Sequence, residues 1–317
     1  DDKKWPIDGE RFLLFVVGYG AILLIGREIP LFSARPGRAR LVFQIFGIGL
    51  FLHNVVWIGF FTVVYHLRVQ GQTKKKRGLV LMSLVSILLY AITLQRFLIL
   101  MIVLLSIIFL YYTTQRIRFS YLAPFVLCGV LFFLWVSTLR GGQLFMLYLF
   151  TESKMKFPLM YAPFTEPYMY FAMNVENFAR SVEKLESYSL GFFTFDFVTA
   201  LSGLKHFVGS YFNLENTPYL ISGYNTYTAF WTYYRDFGIL GVSLFPLCLG
   251  LFVGKIYYSM RRNPTLHSIT LYSFCIFTVA FSFFHNLVSF LWYVYTLLGV
   301  VVILRLVRAD QRVGVRM

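Results

Sequence analysis

Charged residues are scarce in this chain. They make up 14% of its 317 residues, while hydrophobic residues make up 58%. A water-soluble domain carries about 25% charged residues, so the soluble globular class is excluded. Regular alternation of polar and apolar residues is missing as well, and with it the pattern of a membrane β-barrel strand. Within lipid only helices and closed barrels satisfy every backbone polar group, which leaves helices. Cysteine is limited to Cys128, Cys248 and Cys275, all inside apolar runs, so no disulfide framework is expected. The chain opens at Asp1 with neither Met nor a signal peptide, and reads as a fragment with room for further helices upstream.

The signatures of common chemistries are absent too. There is no Walker A loop: Gly250 to Lys255 reads GLFVGK, one residue short of the required spacing and inside an apolar run, where small residues serve helix packing. There is no HExxH, no CxxC and no pair of histidines at ligand spacing. The segments assigned below to the outer side contain no Asp-x-Asp. A site that holds a metal–diphosphate needs clustered carboxylates, so a metal-dependent sugar transferase is disfavoured, and no metal or cofactor is expected.

What the chain has is apolar length, with a mean hydropathy of +0.67. A helix crosses the hydrocarbon core with about 20 apolar residues. Runs of that kind lie at roughly 11–27, 41–66, 78–95, 97–114, 120–139, 238–258, 267–284 and 286–304, which predicts an all-α polytopic bundle of about eight spans. The net charge of +15 would suggest nucleic acid in a soluble protein. Here Lys and Arg that retain loops in the cytoplasm account for it, and no nucleic-acid partner is expected. The clusters are Lys74, Lys75, Lys76 and Arg77; Arg116 and Arg118; Arg261 and Arg262; and Arg305, Arg308, Arg312 and Arg316. With all four inside, the turns at Arg96 and His285 and the long segment 140–226 fall outside. So does 28–40, whose Arg35, Arg38 and Arg40 work against the rule. The chain then divides into a five-span bundle over 1–139, an outer loop with amphipathic and interfacial helices over 140–237, and a three-span bundle over 238–317.

Loops as long as 140–226 are usually functional. Glu166-Pro167 reads as a helix start, with Pro in the first turn. Phe171, Val175, Phe178, Val182 and Leu185 then recur at spacings of four and three, the apolar face of an amphipathic helix, with Glu176, Arg180, Glu183 and Lys184 opposite. From Asn225 to Phe237 the chain is dense in aromatics: Tyr227, Phe230, Trp231, Tyr233, Tyr234 and Phe237. Tyr and Trp favour the membrane interface, so this stretch is expected there.

Arginine is the notable polar residue on the outer side: Arg96 at a tight turn, Arg140 at the end of the fifth span, Arg180 on the amphipathic helix and Arg235 in YYRDFG. The guanidinium fork binds phosphate bidentately and stays charged at any physiological pH, so the set suits a lipid-linked diphosphate. Each member also has a plainer reading. Arg180 can pair with Glu176 one helical turn away, Arg235 can pair with Asp236 or meet lipid headgroups, and Arg96 can be a snorkelling helix end. Among the histidines, His206 and His285 lie outside and could act as general bases. His53, beside Asn54 in mid-span, is either functional or part of an interhelical hydrogen bond. His66 and His267 fall at the cytoplasmic edge.

The layout resembles the Wzy-type polymerases of O-antigen and capsule repeat units, which are bacterial inner-membrane glycosyltransferases. Many spans surround one large periplasmic loop late in the chain. Arg180 is followed after ten residues by Gly191 (RSVEKLESYSLG), similar to the Arg-x10-Gly pattern of such loops. Gly223-Tyr224-Asn225-Thr226 leads into YYRDFGILG, similar to the Asn…Asp-Phe-Gly-x-x-Gly stretch that precedes the next span, and Arg96 matches a turn where the family commonly has arginine. O-antigen ligases share this layout.

The resemblance implies a plasma-membrane protein with a periplasmic active face. Its substrate would be an undecaprenyl-diphosphate-linked oligosaccharide, amid membrane lipids and with a chain-length-regulating membrane protein as a further partner. The acceptor hydroxyl attacks the anomeric carbon and undecaprenyl diphosphate leaves, without a metal. Arg96, Arg140, Arg180 and Arg235 would hold the diphosphate. His206, Glu176 or Asp236 would take the proton. Gly191, Tyr224, Asn225 and Tyr234 would bind substrate, and the amphipathic helix would lie over the outer mouth as a lid. The alternatives are a ligase that moves the glycan to lipid A-core, a lipid-linked-glycan transporter, and a membrane scaffold. The spans hold few ionisable residues and no internal repeat, which speaks against a transporter.

Overall fold

The computed structural model describes residues 9–41, 45, 47–68, 73–114, 119–154, 156–208 and 226–306. Every long element among them is a helix: α1 Glu10–Gly26, α2 Asn54–Arg68, α3 Thr73–Ile92, α4 Phe97–Thr114, α5 Phe119–Glu152, α6 Thr165–Lys184, α7 Ala229–Arg262, α8 Leu266–Ala280 and α9 Leu291–Leu306. Four helical stretches are long and apolar enough to cross a membrane: Glu10–Phe32, Ile48–Leu67, Phe97–Thr114 and Ala229–Arg262. Stretches Gly129–Leu139 and Leu144–Glu152 make a fifth if they form one span. The remaining apolar runs form helices α3, α8 and α9, close to their expected places.

The chain divides into two compact units. One comprises Asp1–Phe145, Pro264–Ser273 and Leu298–Met317; the other comprises Met146–Asn263 and Phe274–Leu297. In the first unit α2 is the central helix. Val55, Val56, Ile58, Phe60, Phe61 and Val64 on it are fully buried. Gly299 lets α9 close on it, since a Cβ there would lie 1.9 Å from Cζ2 of Trp57. The apolar run expected as one span at 41–66 contains the helical stretch Ile48–Leu67, which changes helix type along its length. Residues Ile48–His53 form a 3₁₀ helix, and the α-helix starts only at Asn54. The Asn54 amide donates to the Phe51 carbonyl at 2.7 Å. A mid-span asparagine thus serves the change of helix type, where carbonyls released from the α pattern need donors.

In the second unit α6 begins at Thr165, so Glu166 and Pro167 occupy its first turn as expected. Its polar side, Glu176, Arg180, Glu183 and Lys184, is exposed as the pattern predicts. The apolar stripe is divided: Phe178, Val182 and Leu185 are half-buried, while Phe171 and Val175 are 61% and 62% exposed. The buried face lies to one side of the stripe and combines Met169 and Met173 with Asn174, Asn177 and Ser181. Helix α7 is lined with exposed Leu240, Leu247, Leu251 and Phe252, an apolar surface that a water-soluble monomer avoids.

Candidate functional site

Gly191 of one family-like motif and Arg235 to Gly241 of the other lie together in the second unit, around a break in α7. Thr228 caps the helix by accepting from the Trp231 N–H at 3.3 Å. At Gly238 the backbone leaves the helix, with φ 61° and ψ −144°. Only glycine adopts that region without strain, and a Cβ there would lie 2.8 Å from Tyr188 Oη. Beyond the break, a Cβ at Gly241 would lie 2.2 Å from the Tyr233 carbonyl oxygen, so the two halves of α7 are in direct backbone contact. Phe245 of the second half stacks on Tyr233 (5.0 Å between ring centroids) and on Phe237 (5.4 Å) of the first. The Gly238-x-x-Gly241 spacing is therefore a hinge that returns residues 229–237 onto the apolar helix.

Residues 189–195 form a turn docked on this hinge. Leu190 and Gly191 both have positive φ, 48° and 97°. The Ser189 N–H donates to the Arg235 carbonyl at 3.0 Å, and the Leu190 N–H to the Asp236 carbonyl at 3.2 Å. The Asp236 side chain is fully buried. Its carboxylate accepts from Ser189 Oγ at 2.6 Å, from the Phe193 N–H at 3.1 and 3.2 Å to its two oxygens, and from the Thr194 N–H. Successive backbone N–H groups in such a turn make an anion-binding concavity, and the anion here is the chain's own Asp236. Gly191 belongs to the turn itself, where a Cβ would come within 3.2 Å of the Phe237 ring.

Arg235 is 6% exposed. Its guanidinium lies over the Phe193 ring at 4.0 Å and near the Trp231 ring at 5.6 Å, a geometry in which a planar cation is attracted to the ring face. The oxygens of the adjacent Asp236 are taken by the turn, so the simple Arg235–Asp236 pairing is replaced by two separate arrangements. Tyr234 lies between Phe178 of α6 (6.0 Å) and Tyr188 (6.4 Å). Within the aromatic stretch Trp231 and Tyr233 are buried, at 4% and 7% exposed, Tyr227, Tyr234 and Phe237 are half-buried, and Phe230 is 38% exposed. The hinge at Gly238 turns Tyr233 and Phe237 back against Phe245. Tyr233 Oη also donates to Asn286 Oδ1 at 3.3 Å, and the Ala229 N–H to the Ser282 carbonyl at 2.7 Å.

Helix α6 is fastened beside it through its polar face. Asn177 Nδ2 donates to the Thr226 carbonyl at 3.0 Å, and Thr226 Oγ1 donates to Asn174 Oδ1 at 2.6 Å. Thr226 closes the GYNT motif. Tyr224 and Asn225 themselves lie outside the described residues, as do the side chains of Arg140 and His206. Arg180 and Glu176 form an exposed pair one helical turn apart, Nε to Oε1 at 3.1 Å, with side chains 47% and 50% exposed. His285 packs against the Phe284 and Phe290 rings at 4.5 and 5.2 Å. Burial pushes its imidazole down to about 4, because the charged ring loses water it cannot replace.

In the first unit Arg96 is 8% exposed and donates through Nη1 to Ser137 Oγ of α5. It follows a tight turn in which buried Leu94 has φ 58° and Tyr90 Oη donates to Gln95 Oε1 at 2.9 Å. Arg96 is thus an interior tie between helices and not a snorkelling end.

Ser189, Phe193 and Thr194 were not singled out in the sequence, because a backbone N–H donor carries no residue signature. Asn174, Asn177 and Ser181 did have one: three polar residues at helical spacing beside the apolar stripe of α6. Among the described residues no group of three or more His, Cys, Asp or Glu comes together. The chain matches no known family model, no curated protein and no solved structure. Fold and composition together define the class: a helical membrane protein.

Proposed function

We propose that the protein is a polysaccharide polymerase of the bacterial plasma membrane, acting at the periplasmic face on a glycan carried by undecaprenyl diphosphate. The terminal sugar hydroxyl of a second lipid-linked repeat unit forms the new bond to the anomeric carbon. The bond from that carbon to the diphosphate oxygen breaks, and undecaprenyl diphosphate departs with the electron pair. The protein must stabilise the departing charge and accept the hydroxyl proton.

The observation that supports this most is the separation of Arg235 from Asp236. The carboxylate is consumed by the 189–194 turn, while the guanidinium is held over the Phe193 ring. A cation held over a ring and set apart from its neighbouring carboxylate is preorganised for a phosphate oxygen. Asp236 is then a positioning residue. Glu176, half exposed beside Arg180, is the better-placed carboxylate for the proton, and Arg180 supplies a second cation on that helix. The exposed Phe171 and Val175 of α6 give this helix an apolar contact for the lipid from which the substrate comes.

Purified protein given a lipid-linked repeat unit, without nucleotide or divalent metal, should produce a ladder of longer lipid-linked glycans. Transfer only to lipid A-core would make it a ligase. No transfer, with movement of the lipid-linked glycan across a liposome bilayer, would sink the enzyme reading. Full activity in both Arg180→Ala and Arg235→Ala would remove the phosphate role of these arginines even if the reaction class stands.

A further inference from the structure

A second basic site lies in the first unit, apart from the residues of the proposed glycan chemistry. A cavity of about 340 Å³ is lined by His66 of α2 and by Thr73, Lys76, Arg77, Val80, Leu81 and Leu84 of α3. Its two ends differ in chemistry. At one end are the first turns of α3, carrying Thr73, Lys76 and Arg77, where backbone N–H groups and the helix dipole add to the side-chain charge. Lys76 Nζ reaches back to donate to the His66 carbonyl at 3.4 Å, and His66 Nδ1 lies 3.1 Å from the Thr62 carbonyl, to which it donates. These contacts hold the polar wall in place. At the other end Val80, Leu81 and Leu84 are 37%, 63% and 53% exposed and form an apolar strip along α3.

The charge of this region has no counterpart in the chain nearby. Between Glu28 and Glu152 the sequence contains no Asp or Glu at all, and among the described residues no carboxylate pairs with Lys76 or Arg77. Lys76 and Arg77 are thus open to an anion supplied from outside this stretch. A free anion would satisfy the basic end and leave the apolar strip unused, whereas a phospholipid satisfies both with one molecule. Basic pockets at the ends of membrane helices bind anionic headgroups, each Lys or Arg contributing roughly 1 kcal/mol, or about five-fold in affinity.

We propose that this groove is a binding site for an anionic diacyl phospholipid, its headgroup phosphate against Thr73, Lys76 and Arg77 and one acyl chain along Val80, Leu81 and Leu84. The site is independent of the glycan chemistry proposed above. Occupied, it would tie the basic start of α3 to the lipid surface and so anchor α3 against the central helix.

The test is native mass spectrometry of the detergent-purified full chain titrated with phosphatidylglycerol, with phosphatidylcholine, or with inorganic phosphate. Thermal unfolding is recorded on the same samples. We expect one phosphatidylglycerol to bind well above the phosphatidylcholine background and to raise the unfolding temperature. Lys76→Gln with Arg77→Gln should weaken that binding about thirty-fold. Arg261→Gln with Arg262→Gln, which removes a basic pair elsewhere, should leave it unchanged. These residues lie at a helix end exposed to the surroundings, and Leu81→Gln probes the apolar strip without touching the charge; it should weaken phosphatidylglycerol and leave inorganic phosphate unaffected. Equal binding of the two lipids would overturn the proposal, as would equal losses in the two double variants. Stabilisation by inorganic phosphate as large as by the lipid would also overturn it.

Discussion

The coupling between Asp236 and the 189–194 turn can be measured. Asp236 is fully buried and receives hydrogen bonds from Ser189 Oγ at 2.6 Å, from the Phe193 N–H at 3.1 Å and from the Thr194 N–H. Hydrogen bonds to a charged group contribute about 1.5–3 kcal/mol each. Asp236→Asn replaces one accepting oxygen by an amide that must face a donor, so at least one buried N–H is orphaned. The expected loss is about 3–5 kcal/mol. Ser189→Ala removes one donor and should cost about 1–2 kcal/mol. Because both changes break the Ser189–Asp236 bond, the double variant should lose about 1–2 kcal/mol less than the sum. Thermal unfolding of the detergent-solubilised chain, followed by tryptophan fluorescence, should show Asp236→Asn lowered by on the order of 10 °C. Strictly additive losses, or an unchanged midpoint in Asp236→Asn, would show that the carboxylate does not hold the turn. The same variant separates positioning from chemistry. Turnover per folded molecule should stay within about ten-fold of the parent, whereas a fall of 10²–10⁴-fold would make Asp236 the general base.

Gly238→Ala should destabilise by about 1–3 kcal/mol, because φ 61° with ψ −144° excludes a Cβ that would also meet Tyr188; a midpoint equal to the parent's would refute the hinge. Arg180→Ala should cost only about 0.3–0.5 kcal/mol, since its pair with Glu176 is exposed. A large loss of glycan transfer at unchanged unfolding temperature would then mark a functional cation. Arg235→Lys should impair transfer nearly as much as Arg235→Ala, because the ammonium keeps the charge but loses the guanidinium fork held over Phe193; full activity would mean that charge alone suffices. His285 stays neutral when folded, its imidazole pushed down to about 4, whereas the unfolded ring titrates near 6.5. The unfolded chain therefore binds the proton first. The stability that His285 contributes is complete above about pH 6.5 and is lost as pH falls toward 4. Unfolding midpoints taken across that window should fall in the parent and fall less in His285→Gln; parallel curves would refute the assignment.

The apolar runs and the start of α6 at Glu166-Pro167 were legible because they depend on residues near in sequence. Scarcity of charge and the length of the runs determine by themselves that the chain is helical and suited to a membrane, since nothing else satisfies its backbone in lipid. The Gly238–Gly241 spacing and the arginines could be singled out from residue chemistry alone. What those residues do could not. Periodicity places Phe171, Val175, Phe178, Val182 and Leu185 on one face of α6, but only the folded unit shows that Phe171 and Val175 are exposed and the other three half-buried. Burial depends on what lies against a helix, and the Thr226 partners of Asn174 and Asn177 are some fifty residues away. The sequence marks the stretch before Gly238 as aromatic, but only the hinge shows that Tyr233 and Phe237 stack on Phe245. Arg235-Asp236 reads as an ion pair until the 189–194 turn, more than forty residues earlier, takes the carboxylate and leaves the guanidinium over Phe193. Sequence determined the local chemistry and the medium. Tertiary structure decided which partner each charge has, because the competing donors belong to backbone groups that any residue could supply.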